Sequence, residues 1–461
     1  MAGRSYDLTP KAVPKVNTPF RRIVTKFPVP QSLPVLRKLL KYEPRSMSGQ
    51  PPVVWDRAEG VQVYDKWGNM WLDWSSGVLV TNCGHGRAEV RKAIIGQAEH
   101  GLLHNYCFPN EPRALLAERL VNLAPKPLDK AFILTTGAEA TENAIKLART
   151  YGVQVGGEKK IKIVSFARSF HGRTLGSQLA GGIPSLKKWI VKIDPTFVQV
   201  EFPDGFRCED TSFAYFQKQL SDKSAAPDEI AGVITESYQG GGASFAPVEF
   251  MKELRKWCDE HQVVLICDEV QSGFGRTGKL YAFEHYGIAP DLACLGKGVS
   301  SSLPLSAVLG KSKVMNLYGP GEMTSTHTGN PICSAAALAN IDVILGDKLV
   351  DNSMRMGVVL HKGLDALTKK YSDVIGAHHG KGLVAGLHMV KPGSKEPDGD
   401  LAFEVINRAY KKGLLFFAPV GFGSATVKIG PPLVINEEAI KEGLGVLDVS
   451  IAESIEALAK A

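Results

Sequence analysis

Between residues 130 and 310 the chain alternates short, almost wholly apolar runs with stretches whose apolar residues recur at helical spacing. KAFILTT (130–136), IKIVSFA (161–167), AGVITES (231–237), VVLICDEV (263–270), DLACLGK (291–297) and LSAVLG (305–310) each read as a strand buried on both faces. ALLAERLVNLA (114–124), ATENAIKLART with Ala144, Ile145, Leu147 and Ala148 on one face, and VEFMKELRKWCDEH (248–261) read as helices. Such a texture, beginning near residue 88, predicts a mainly parallel sheet covered by helices on both faces. Upstream, VQVYDKWGNMWLDW alternates around Gly68-Asn69 and predicts a β-hairpin. From about residue 340 a helix leads into a last α+β lobe containing LVAGLHMV and ATVKIG.

Composition narrows the class. At 461 residues the chain is too long for one simple core, and two or three lobes are expected. No apolar run approaches the length of a membrane span. The cysteines at 83, 107, 208, 258, 267, 294 and 333 are scattered, with no pair at metal-ligand spacing, so no metal is expected. They read as reduced core residues of a cytoplasmic protein. The net charge of +7 does not point to nucleic acid. The first fifty residues hold ten Lys/Arg against Asp7 and Glu43, which already exceeds the whole surplus. Seven prolines in that segment are expected to spoil the amphipathic helix of a transit peptide, so it reads as a retained basic arm.

Ligands of open α/β sheets sit beyond the carboxyl ends of the strands, and the residues there form an inventory. They are Thr135-Thr136-Gly137-Ala138, Ser169-Phe170-His171-Gly172-Arg173, Glu236, Asp268 and Lys297. The run VVLICDEVQSGFGR enters two acids, Asp268 and Glu269, directly from a buried strand, which is costly unless a cation awaits one of them. GFGRTG (273–278) matches a dinucleotide-binding string, but the residues after it are short, aromatic and broken before Pro290, where a long helix should open. LGKG (295–298) lacks the spacing of a phosphate loop, and His378-His379 reads as a solvated turn. Asp268 and Lys297 together make better sense. A lysine with a lowered pKa forms a Schiff base with an aldehyde, and a carboxylate against a pyridine nitrogen keeps that ring protonated. The cofactor that wants both is pyridoxal 5'-phosphate.

DEVQSGFGRTGKLYAFEHYGIAPDLACLGKG resembles the signature of the class III (ω-) aminotransferases of fold type I, and the likeness runs from GVQVYDKWGNMWLDWSSG to KIGPPLVI. The resemblance implies a large α/β domain at 89–335 with a mainly parallel seven-stranded sheet. It also implies a small α+β domain built from 51–88 and 336–461, with 1–50 as the arm. It makes Lys297 the catalytic lysine and proton shuttle, Asp268 the partner of the pyridine nitrogen and Gln271 that of the ring hydroxyl. Phe170 and Val270 would cover the two ring faces, and Gly137 and Ala138 would present backbone N–H groups to the phosphate at a helix start. Thr326, in STHTGNP, would reach the phosphate of a neighbouring subunit, so a homodimer or a dimer of dimers is implied. Glu236 would belong to the cofactor pocket, and Val78, Arg173, Gly241 and Lys428 to the substrate site.

Three departures bear on substrate. Gly241 stands where the family has a glutamate, Lys428 where it has an arginine, and VSSSLPLS replaces a glycine-rich segment. The family's glutamate–arginine switch therefore cannot form. Arg173 matches the arginine that binds a distal carboxylate or, on a plainer reading, serves an internal ion pair; Lys428 either contacts substrate or faces solvent. The expected reaction moves an amino group from an ω-amino acid of the 4-aminobutyrate or β-alanine type, or from an amine, to a 2-oxo acid such as pyruvate or 2-oxoglutarate. Racemase, epimerase or decarboxylase chemistry on the same fold is the alternative, and a non-catalytic protein that kept the fold is the reading from another class.

Overall fold

The structure, a computed structural model, describes residues 5–460. By packing, the chain divides into two compact units, one of residues 88–351 and one of residues 1–87 together with 352–461.

The first unit is built on a seven-stranded sheet. Its strands are β1 (Lys130–Leu134), β2 (Lys162–Phe166), β3 (Phe197–Val200), β4 (Ile230–Glu236), β5 (Val264–Asp268), β6 (Leu292–Leu295) and β7 (Ser306–Gly310). The order is β1-β7-β6-β5-β4-β2-β3. Neighbours from β6 to β3 pair in parallel, while β7 runs antiparallel to both β6 and β1. The predicted mainly parallel sheet is therefore present, with one strand reversed. β3 escapes the pattern because it is a four-residue edge strand, FVQV, whose burial alternates.

Five helices matter here: α1 (Ala88–His100), α2 (Glu111–Leu123), α3 (Gly137–Gly156), α4 (Val248–Glu260) and α5 (Pro331–Gly346). Ala144, Ile145, Leu147 and Ala148 of α3 bury against Ile234, Ile266, Cys294 and Val308 of the sheet. Each fully buried Ile, Leu or Val contributes about 1.5–3 kcal/mol, so this face fixes the helix firmly. The expected change of lobe at 335/336 falls inside α5. That helix packs on α1 and α2 and so stays with the sheet, which moves the division to the first turn of helix Leu349–Lys370.

In the other unit the predicted hairpin pairs Gln62–Tyr64 with Met70–Asp73. The arm joins it: Val16–Asn17 pairs with Arg22–Ile23, and Arg22 pairs with Met70. Contrary to expectation, the proline-rich arm contains an amphipathic helix, Leu33–Tyr42. Pro34 sits in its first turn, where a missing N–H breaks no helical bond. A second sheet holds Ile375–Lys381, Val384–Met389 and Thr426–Ile429. His378 and His379 lie in the first of these strands rather than in a solvated turn. His378 is fixed there by His361, whose Nδ1 is 2.7 Å from its Nε2, and by Asp365 at 3.1 Å. Among the described residues no helix is long and apolar enough to cross a membrane.

Candidate active site

At the carboxyl edge of the sheet, register sets the chemistry. Glu236 ends β4 directly beside Asp268 at the end of β5, which in turn lies beside Cys294 of β6. Two residues past β6 comes Lys297, in left-handed backbone with φ +44°. A non-glycine residue there stores strain, and strain of that kind collects at functional sites. The turn is held by Asn340 of α5, whose Nδ2 donates to Gly298 O and Val299 O, each at 2.9 Å.

Lys297 keeps part of its surface open, yet the protein around it is dense enough that desolvation lowers its ammonium pKa, with Asp268 and Glu236 pulling the other way. A lysine so placed has a larger neutral, nucleophilic fraction than one in water. Asp268 accepts from Val270 N at 3.0 Å and, through Oδ2, from His171 Nδ1 at 2.8 Å. Glu236 is buried and its carboxyl pKa is pushed up to about 7, chiefly by burial, against the opposing pull of His171. It accepts from Phe170 N at 3.0 Å and Gly240 N at 2.9 Å.

Around these groups stand the other residues that the sequence singled out. Gln271 Oε1 and His171 Nε2 are buried with no protein partner, so the site holds acceptor and donor capacity that the fold leaves for something else. α3 opens at Gly137 with Thr136 as N-cap, its side chain accepting from Glu139 N at 3.2 Å. The amides of Gly137 and Ala138 have no intrahelical carbonyl, which makes this end an anion cradle. A Cβ on Gly137 would lie 2.7 Å from Val270 Cγ1, so only glycine lets the two approach. Phe170 is 37% exposed, and the Arg173 guanidinium lies 5.6 Å from its ring centroid. These features fit pyridoxal phosphate: an acid for the ring nitrogen, an unpaired acceptor for the hydroxyl, an N-terminal cradle for the phosphate and a neutral-leaning amine.

Thr326, Gly241, Val78 and Lys428 lie on other segments. Thr326 is exposed, while its neighbour Ser325 donates to Glu139 Oε1 at 2.7 Å. Gly241 is half-buried in the turn after Gly240. Val78 and Lys428 belong to the other unit. Val78 is 42% exposed in left-handed backbone, φ +68°, and Lys428 is buried on strand Thr426–Ile429 rather than facing solvent. Two residues near the chemistry had received no role from sequence. His171 braces Asp268, and its position inside SFHGR, between the aromatic and the arginine, was the available signal. Asn340 gave none, because only the packing of α5 brings it to the lysine turn.

The family model described as aminotransferase class-III matches residues 45–451. A 4-aminobutyrate aminotransferase of Mycobacterium leprae is 33% identical over 93% of this chain and 97% of its own length. An isoleucine 2-epimerase of Lentilactobacillus buchneri is 37% identical over 86% of this chain and 89% of its own. The crystal structure of a Bacillus anthracis aminotransferase superposes with a TM-score of 0.83, at 31% identity, over 92% of this chain and 99% of that one. With the sheet, the strand-end acids and the lysine in one place, the chain belongs to the class III aminotransferases, a pyridoxal-phosphate-dependent enzyme family of fold type I.

Proposed function

We propose that the protein transfers the amino group of an ω-amino acid of the 4-aminobutyrate or β-alanine type, or of an amine, to a 2-oxo acid such as pyruvate or 2-oxoglutarate. Arg173 carries the reading. Its guanidinium is exposed beside the Phe170 ring, and no acid pairs with it among the described residues, so it is available to a carboxylate that arrives from outside. That favours the substrate role over the internal ion pair. Val78, Gly241 and Lys428 remain the other proposed substrate residues. With Gly241 and Lys428 in place of a glutamate and an arginine, a 2-oxo acid meets a lysine, a point charge, instead of a bidentate arginine grip.

Bound pyridoxal phosphate supplies an aldehyde for the amine and a ring that accepts electrons. The chain's own groups do the rest. Lys297 Nζ, whose ammonium pKa burial lowers, takes the proton from the carbon that bears the donor's amino group. Asp268, oriented by His171, would hold positive charge at the ring nitrogen, and Gln271 Oε1 would accept from the ring hydroxyl. Phe170 and Val270 would cover the two ring faces. Gly137 and Ala138 would hold the phosphate, and Glu236 fixes the backbone of Phe170.

The homodimer is part of the proposal, supported by an exposed Thr326 on a segment that Ser325 ties to Glu139. So is the cytoplasm, supported by seven cysteines outside any disulfide among the described residues, five of them buried. Epimerisation is the second reading, favoured by the 37% identity to an isoleucine 2-epimerase. Oxo-acid consumption separates the two, because epimerisation consumes none. Arg173→Ala tests the specificity: carboxylate-bearing donors should lose roughly 10- to 150-fold in kcat/KM, the loss expected for one charged hydrogen bond, and plain amines little. Equal losses for both donor types would make Arg173 structural and the reading wrong.

A further inference from the structure

One helix touches both the proposed cofactor-phosphate cradle and the loop of the proposed substrate arginine. The first turn of α3 presents the amides of Gly137 and Ala138, and its next turn grips the loop that carries Arg173. Thr141 Oγ1 donates to His171 O at 2.7 Å, on one side of the arginine. On the other side, Glu142 Oε1 accepts from Gly176 N at 2.8 Å and Ser177 N at 3.1 Å. Closeness is enforced as well, since a Cβ on Gly172 would lie 2.7 Å from Ala138 Cβ. The start of the loop is pinned separately by Phe170 N donating to Glu236. Arg173 itself makes no ion pair among the described residues, so its place is set by its backbone and by the Phe170 ring. Four residues of α-helix rise about 6 Å, and a buried helix does not stretch.

We propose that Thr141 and Glu142 are positioning residues that make α3 a ruler, fixing Arg173 relative to the phosphate cradle and thereby selecting the donor by the distance between its amine and its carboxylate. This rests on the substrate role given to Arg173 above. The plain alternative is that Glu142 only caps the short helix Leu175–Ala180. A cap alone would affect stability without choosing among donors.

The test is a series of ω-amino acids in the holoenzyme: β-alanine, 4-aminobutyrate, 5-aminovalerate and 6-aminohexanoate, with butylamine as the donor lacking a carboxylate. One length should be preferred over its neighbours by at least about tenfold in kcat/KM, the discrimination one methylene commonly gives. In Glu142→Ala the KM for that donor should rise about tenfold with kcat nearly kept, the preference should flatten, and butylamine and the visible absorbance should be unchanged. Glu142→Gln keeps an acceptor oxygen and should restore most of the preference. Thr141→Val, nearly isosteric, should flatten the series in the same sense and serves if Glu142→Ala does not fold. A flat series in the wild type, or equal losses for every donor including butylamine, would overturn the ruler. If Arg173→Ala also fails to separate carboxylates from butylamine, the substrate reading falls with it; if Arg173→Ala separates them and the two α3 variants do not flatten the series, only the ruler falls.

Discussion

Asp268 and Glu269 are chemically alike, adjacent and both buried at the end of β5, yet their surroundings give them opposite work. Glu269 turns back into the protein. It accepts from Ala282 N at 2.8 Å, Phe283 N at 2.9 Å, Ser272 Oγ at 2.8 Å and the Ser237 hydroxyl. Burial raises its pKa while these four donors oppose the rise. It knots the turn that contains GFGRTG, whose short helix Ala282–Tyr286 ends at Gly287 rather than opening a dinucleotide site. Among the described residues, Asp268's side chain has only the Val270 amide and His171 as hydrogen-bond partners. The difference teaches that a buried acid is read by its partners: one whose donors all come from the fold is structural, and one left with capacity in a cleft is available to a ligand.

That contrast can be broken by mutation. The largest effect should come from the partner across the site. Lys297→Ala should lower turnover by more than about 10³-fold while cofactor absorbance can still be reconstituted, since it removes the proposed proton-transferring group and leaves the acid and cradle. Borohydride reduction of the wild type should label the peptide containing Lys297, and a label elsewhere would refute the assignment. Next, Asp268→Asn should cost roughly 10²-fold in kcat with a nearly unchanged urea midpoint. Glu269→Ala should do the reverse at the level of the fold, losing about 3 kcal/mol or more in urea unfolding because four buried donors lose their acceptor. If the two variants behave alike, the division of labour is wrong.

The smallest effect concerns pH. The Glu236 carboxyl sits near pH 7 in the fold, above its ordinary 4.5. The folded protein therefore favours the protonated form. This contribution to stability is full below about pH 4.5 and fades as pH rises through 7, where a buried charge must be carried. Cofactor-free protein should accordingly lose stability, relative to Glu236→Gln, between pH 5 and pH 8. A constant difference between the two unfolding curves over that range would show that Glu236 does not titrate there.

The amino-acid sequence by itself determined the sheet's main strands, the covering helices and the likeness to an aminotransferase family. Buried parallel strands are near-continuous apolar runs, and strand ends carry the functional groups in a readable order. VVLICD and DLACL needed no coordinates to be recognised as β5 and β6, nor did the glycine at the start of α3. Edge strand β3 was hidden because only one of its faces is buried. The arm helix Leu33–Tyr42 was hidden because proline counts differently in a first turn than in a helix interior. Only the tertiary structure decided which buried acid is knotted and which is open, that His171 braces Asp268, that Asn340 holds the lysine turn, and that Thr141 and Glu142 clasp the arginine loop. Those facts depend on contacts between segments distant in sequence, as His171 and Asp268 are, or on the angle at which a helix passes a loop. Local pattern encodes period and polarity, and it carries no record of which partner a side chain meets.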